Sequence, residues 1–162
     1  LEYEGNAKET KTTIRNGFIY TGDIGVLDSK GFLSITDRKK DVIFVKGFNV
    51  FPREIEEQLM SQENVSSVCV VSKQDNRSGE TPVAFITLNS QIDVSIFKKY
   101  CEETLLPYKV PSDFIVLERL PLTPAKKVDR SALKNIINST ISAGTSADAR
   151  ERRMGTYVCM YV

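Results

Sequence analysis

The sequence has 162 residues, 41% of them hydrophobic, enough for one ordinary domain with a buried core. Its 22 Lys and Arg against 21 Asp and Glu leave a formal charge of +1, which excludes the broad basic field of a non-specific nucleic-acid binder. There is no histidine, which excludes Ser-His-Asp and Cys-His catalysis and most zinc sites, so any chemistry falls to Lys, Arg, Asp or Glu.

Residues 1–16 are polar, with too few apolar positions to bury a helix face, and read as a loop or a surface helix. The chain opens at Leu1 rather than at methionine, and its first residues have no start-of-domain character, which points to a piece of a longer polypeptide. Residues 18–20, 24–27 and 32–35 read as strands of a small hairpin sheet, with the turn Asp28-Ser29-Lys30-Gly31 between the last two. The charged run Asp37-Arg38-Lys39-Lys40-Asp41 marks a break between structural units.

Beyond the break a second hairpin is expected over residues 42–45 and 49–51, turning at Lys46-Gly47. Pro52 suits the first position of a helix reaching Gln62, with Glu54, Glu56 and Glu57 near its positive end and Ile55 and Leu59 on one face. Residues 65–72 form a β-branched run, 75–82 a polar loop, and 83–88 a strand with closely spaced apolar residues. Val94, Phe97, Cys101 and Leu105 fall at helical spacing; residues 114–117 are a last strand, 121–127 a Pro-bounded loop, and 131–137 a short amphipathic helix. The order ββαββαβα predicts an α+β fold, a small sheet with helices packed on it, preceded by a hairpin strip. Residues 139–162 read as a disordered or artefactual tail.

Cys69, Cys101 and Cys159 are odd in number, far apart and free of any CxxC pair, so they read as reduced thiols of a cytoplasmic protein and offer no metal site. No apolar run approaches the ~20 residues needed to cross a bilayer, and no secretory signal is present. Cys69, within an apolar run, reads as a small core residue. Glu54 and Glu56 invite an acid/base reading, but their place in a first helical turn favours dipole compensation and local packing. Lys98, Lys99 and Lys109 are cations able to meet phosphates or simply to solvate a surface. Asp23 follows Gly22 at a strand end, where a carboxylate serves turn chemistry or accepts from a vicinal diol such as that of a ribose.

Three segments in order carry a family resemblance: Tyr20-Thr-Gly-Asp23; Asp37-Arg-Lys-Lys-Asp-Val-Ile-Phe-Val-Lys-Gly-Phe-Asn-Val-Phe-Pro-Arg-Glu-Ile-Glu56; and Leu120-Pro-Leu-Thr-Pro-Ala-Lys-Lys-Val-Asp-Arg130. They resemble the closing motifs of the adenylate-forming superfamily: acyl-CoA synthetases, peptide-synthetase adenylation domains and firefly-type luciferases. In that family a large N-terminal domain binds ATP and a carboxylic acid, and a small C-terminal domain closes over it. The resemblance implies that residues 1–39 are the last strip of the large domain and 40–138 the small lid domain. It also implies an AMP-forming acid-thiol ligase, with ATP/AMP and CoA as ligands, Mg2+ bound mainly by the large domain, and a carboxylic, fatty-type acid as substrate.

Carried over by motif, Asp23 and Arg38 match nucleotide-binding residues on the ribose. The competing reading of Arg38 is a surface ion pair with Asp37 or Asp41. Lys40 matches the hinge residue between two half-reactions, and Lys46 and Gly47 match the loop lining the CoA pantetheine tunnel. Lys127 matches the catalytic lysine at the α-phosphate, with Lys126 as the alternative bearer of that charge. The family's usual glycine before this lysine is replaced by Lys126; if the backbone needs positive φ there, a lysine is strained. The Lys46–Pro52 stretch is closer to the acyl-CoA branch and residues 120–133 to the peptide-synthetase branch. Taken alone, the chain has no phosphate-binding Gly-rich loop or acid pocket and is expected to be inactive; the rival reading is a non-catalytic interaction module or truncated product of such a ligase, or the lid of a peptide-synthetase-type domain.

Overall fold

The computed structural model describes residues 3–143; Cys159 and most of the expected tail lie outside the described residues. The chain divides between Lys40 and Asp41 into two compact units.

In the first unit, helix α1 (Ala7–Thr13) buries none of its side chains, as its polar sequence dictates, and Asn6 caps it by accepting from the Glu9 N–H. Strands β1 (Ile14–Arg15) and β2 (Phe18–Ile19) pair through a turn at Asn16-Gly17, whose φ values of 51° and 79° are those of a type I′ hairpin. Residues 18–19 thus fold back on β1 instead of extending the sheet of β3 (Asp23–Leu27) and β4 (Leu33–Arg38), which correct the single hairpin sheet expected here. Asp28 closes the β3–β4 turn by accepting from the Lys30 and Phe32 N–H groups, both at 2.8 Å. Phe18, Phe32 and Leu33 stay 72%, 70% and 63% exposed.

The second unit runs β5 (Ile43–Val45), β6 (Phe48–Val50), α2 (Pro52–Met60), β7 (Val65–Asp75), β8 (Gly79–Leu88), α3 (Ser95–Thr104), β9 (Asp113–Val116) and α4 (Arg130–Ala143). This is the α+β order ββαββαβα. Strand β8 is central: β7 lies antiparallel along one edge, while β5 at Gly79 and β9 from Val83 to Ile86 share the other. Because β9 is parallel to β8, a crossover must join them, and α3 supplies it.

Residues 82–87 of β8 are all buried because helices cover both faces of the sheet. Val70, Ala84 and Ile86 pack with Ile55 and Leu59 of α2 and Phe97 and Cys101 of α3. Cys69, Val71, Val83 and Phe85 meet Leu133 and Ile137 of α4 on the other face. Closely spaced apolar residues in β8 therefore express two-sided burial. Phe85 and Phe97 are buried completely and contribute about 1.5–3 kcal/mol each.

The expected polar loop at 75–82 is largely strand, paired from Ser72↔Pro82 to Asp75↔Gly79. The Ser78 hydroxyl and N–H, with the Arg77 N–H, donate to Asp75 Oδ1; they tie the tight turn and hold that carboxyl below the usual carboxylate range. Helix α4 continues to Ala143, so residues 139–143 are helix rather than tail.

Cys69 and Cys101 are free thiols in the two opposite cores, and burial pushes both up to about 12. At pH 8 that leaves about one thiol in ten thousand as the reactive thiolate. Both are expected to resist iodoacetamide until the domain unfolds; peptide mapping that finds either alkylated at the rate of a free cysteine would show that these cores open readily.

Candidate active site

Asp23 and Arg38 are direct cross-strand partners at one end of the β3–β4 ladder. A bulge between Ile24 and Gly25 sets their aim: Ile24 pairs with Asp37 and Gly25 with Ile35, so Thr36 is the extra residue, and its hydroxyl donates to the Ile24 carbonyl at 3.0 Å. Gly25 is needed for room, since a Cβ there would come within 2.9 Å of Leu33 Cδ1 and of the Ser34 carbonyl oxygen. Beyond the bulge, Arg38 Nε lies 3.1 Å from Asp23 Oδ1, while the Arg38 N–H donates to Asp37 at 2.7 Å. The Arg38 side chain is 57% exposed, so this pair adds at most about 1 kcal/mol to the fold. Its chemical content is a half-buried acceptor carboxylate beside an exposed planar donor fork.

Lys40 is the last residue of the first unit and sits, exposed, in a 3-10 turn (Lys39–Asp41). The Lys39 N–H donates to the Gly22 carbonyl at 2.8 Å, so the end of β4 is anchored up to that point.

Lys46 and Gly47 are the two loop residues of the β5–β6 hairpin, with φ of 51° and 86°, again a type I′ turn. A Cβ at Gly47 would meet nothing within 4 Å, so the glycine answers to backbone conformation and leaves open space above it. The turn is fixed from two sides. The Lys46 N–H donates to the Ser78 carbonyl at 2.8 Å, and the Phe48 ring stacks on Tyr108 with centroids 4.6 Å apart. Next to that stack, Lys109 Nζ donates to both carboxylate oxygens of Glu54 at 2.6 and 2.8 Å. Glu54 is thereby committed to an ion pair and Lys109 is not a free cation; Lys98 and Lys99 remain exposed on α3.

Lys127 ends a three-residue hairpin loop. Leu122 bridges Val128, the Thr123 N–H donates to the Lys127 carbonyl at 2.7 Å, and the Lys126 N–H donates to the Thr123 carbonyl at 2.8 Å. Pro124 and Ala125 form the turn, and Lys126 takes the left-handed position that closes such loops, with φ 57°. The backbone thus requires positive φ where the resemblance expects glycine. Lys126→Gly is expected to stabilise the domain by about 1 kcal/mol, a rise of about 4–8 °C in its melting temperature. A melting temperature that stays level or falls would mean that Lys126 carries no strain. Lys127 is exposed, and among the described residues nothing pairs with its ammonium.

Glu56, by contrast, is engaged: its Oε1 accepts from the Val70 N–H at 2.8 Å and from Arg130 Nη2 at 2.9 Å. Arg130 closes the third motif, and its only local sign in the sequence is the Val-Asp-Arg run that follows the two lysines. Among the described residues no group of three or more His, Cys, Asp or Glu side chains stands close enough to hold a metal ion. No described helix is long and apolar enough to cross a membrane.

Residues 54–127 match the family of the AMP-binding enzyme C-terminal domain. The chain thus resembles that domain over a little under half of its length. Over 135 residues, 83% of its length, it is 38% identical to the 2-succinylbenzoate–CoA ligase of Bacillus cereus (strain AH820), and it spans 28% of that relative. Among solved structures it resembles the o-succinylbenzoate CoA synthetase of Bacillus subtilis in complex with its acyl-adenylate intermediate, with a TM-score of 0.77 and 35% identity over 82% of this chain and 28% of that one. It also resembles a Mycobacterium tuberculosis fatty acyl CoA synthetase, with a TM-score of 0.65 and 34% identity over 86% of this chain and 28% of that one. The resemblance to adenylate-forming acyl-CoA synthetases drawn from the motifs is borne out, and the chain spans under a third of the relatives it matches.

Proposed function

We propose that this chain is the closing part of an AMP-forming acid–thiol ligase, which joins a carboxylic acid to CoA with conversion of ATP to AMP and pyrophosphate. The observation that carries this reading is Lys127: an exposed ammonium with no partner among the described residues, on a fixed hairpin loop, in a domain shared with CoA ligases. In the first step an oxygen of the acid attacks the α-phosphorus and the bond to pyrophosphate breaks; in the second the CoA sulfur attacks the acyl carbon and AMP leaves with the bonding pair. Lys127 offsets the negative charge that gathers between carboxylate and phosphate in the first step. Asp23 accepts from the ribose hydroxyls, with Arg38 donating alongside. Gly47, with Lys46, borders the path of the CoA arm, where the absence of a side chain leaves room. Lys40 is the hinge between the two steps.

The ATP-phosphate loop and the acid pocket belong, in this reading, to a larger N-terminal domain, which also carries the Mg2+ that accompanies ATP. The exposure of Phe18, Phe32 and Leu33 supports this, because a strip of that apolarity is normally covered. The identity of the acid is a property of that other domain. Relatives named for o-succinylbenzoate and for fatty acyl groups share the present domain at 35% and 34% identity, so the fatty acid expected from sequence is replaced by a carboxylic acid of either kind. Free thiols at Cys69 and Cys101 fit a reducing cytoplasm.

The test is the intact mass of the polypeptide in its source cells together with acid-dependent ATP–pyrophosphate exchange. A polypeptide roughly three to four times the 18.2 kDa of this chain, active in exchange while residues 1–162 alone are not, is the expected result. Exchange by the 162-residue chain alone would overturn the division of labour, and an endogenous 18.2 kDa species without exchange would leave a binding module in place of an enzyme.

A further inference from the structure

Strand β7 is an edge of the second unit's sheet, and an edge strand leaves every second N–H and C=O without a ladder partner. At Val70 both outward groups are taken up by side chains. The N–H donates to Glu56 Oε1 at 2.8 Å, and the carbonyl accepts from Arg130 Nη1 at 2.6 Å. Arg130 Nη2 donates to the same Glu56 oxygen at 2.9 Å, which closes a ring of one guanidinium, one carboxylate and the backbone of one residue, Val70. The third guanidinium nitrogen, Nε, lies 3.8 Å from Asp41 Oδ2. One side chain therefore meets residues from α2, β7 and the segment that directly follows Lys40.

Arg130 itself is the first residue of α4, capped by Asp129, whose Oδ1 accepts from the Ser131 and Ala132 N–H groups at 3.0 Å. The Asp129 N–H donates to the Pro121 carbonyl at 2.8 Å, closing the base of the loop that carries Lys127. Glu56 and Arg130 side chains are 18% and 30% exposed, burial enough for the pair to be geometrically strict.

We propose that Arg130 is a positioning residue for the ligase reaction, tying the base of the Lys127 loop and the segment after Lys40 to one point on the edge of β7. The lysine then moves as part of the rigid domain instead of on a free loop. This rests on the function proposed for Lys127 above; the tie itself does not.

The test uses the complete polypeptide with Arg130→Lys, Arg130→Ala and Glu56→Gln. Lysine keeps the charge but loses the fork, and glutamine keeps an acceptor for the Val70 N–H but loses the ion pair. Each variant is assayed well below its own melting temperature. Acid-dependent pyrophosphate exchange is expected to fall about tenfold to a hundredfold in Arg130→Ala, in keeping with the cost of a misplacement near 1 Å, with Arg130→Lys and Glu56→Gln intermediate. Thioester formation from supplied acyl-adenylate is expected to stay within about threefold, because the Lys127 contact is not used in that step. Equal losses in both half-reactions would reduce Arg130 to a stabilising residue and overturn the proposal, as would full activity in both. A second arm does not depend on the reaction: hydrogen exchange at the Thr123, Lys126 and Asp129 amides is expected to quicken in Arg130→Lys and Glu56→Gln while Ala84 and Phe85 keep their protection. Unchanged exchange at those three amides would show that the loop is held without the tie. If the complete polypeptide shows no adenylation at all, the functional reading fails, and this arm still decides the tie.

Discussion

Replacing Lys127 by alanine in the complete polypeptide is expected to slow acyl-adenylate formation by two to three orders of magnitude while leaving thioester formation from supplied acyl-adenylate within a few fold. The size follows from the chemistry. As the acid attacks the α-phosphate, charge builds on oxygens that a preorganised donor stabilises, and removal of one such donor costs about 3–4 kcal/mol. The selectivity rests on the swing proposed about Lys40: AMP leaves the acyl carbon with new negative charge on its phosphate, but by then the domain has carried Lys127 away from that phosphate. An exposed side chain with no partner among the described residues leaves little structural debris when truncated, so folding stability is expected to stay within about 0.5 kcal/mol. Pyrophosphate exchange measures the first step and single-turnover mixing of acyl-adenylate with CoA the second. Equal losses would remove Lys127 from the role. A larger loss in Lys126→Ala than in Lys127→Ala would hand the role to its neighbour, which holds the left-handed position of the same loop with φ 57°.

The order ββαββαβα was legible because each element of the second unit carries its own local signal: Pro52 at a helix start, apolar residues at i, i+4 in α2, and β-branched runs in β7 and β8. Two-sided burial of β8 was visible in the same way, as apolar residues packed too tightly for a one-sided strand. The need for positive φ before Lys127 was legible as a conflict between the motif and Lys126, and the three-residue loop shows its cause. What escaped the sequence was long-range or polar. β1 pairs with β2 over only two residues each, Ile14-Arg15 and Phe18-Ile19, too few to show an alternation that marks a strand. The β7–β8 hairpin ends in Ser, Lys, Gln and Asp, a composition that reads as loop although ladder bonds continue through it. Arg130 meets Glu56 across 74 residues, and no local rule links an arginine at one helix start to a glutamate inside another helix. The stack of Phe48 on Tyr108 is hidden for the same reason.

Lys40→Pro is the second substitution with a large expected effect, and it separates the backbone of the hinge from its side chain. Lys40 lies in a 3-10 turn, a conformation whose usual φ is close to the −65° that proline imposes, so the fixed φ itself does not oppose this turn. Any state that requires another φ at this residue costs about 3 kcal/mol or more, which depletes it about a hundredfold. If the domain swings about Lys40 between half-reactions, adenylate formation is expected to persist within about threefold, while overall acyl-CoA formation falls by about two orders of magnitude and acyl-adenylate accumulates. Lys40→Ala is the companion: with φ left free and only an exposed side chain removed, both steps are expected to run at near the parent rate. Detection of acyl-adenylate in the Lys40→Pro reaction distinguishes a blocked swing from a damaged site, because a damaged site makes no adenylate to accumulate. Unchanged ligation in Lys40→Pro would move the hinge to another bond, and a loss in Lys40→Ala as large as that in Lys40→Pro would assign the effect to the ammonium rather than to the backbone.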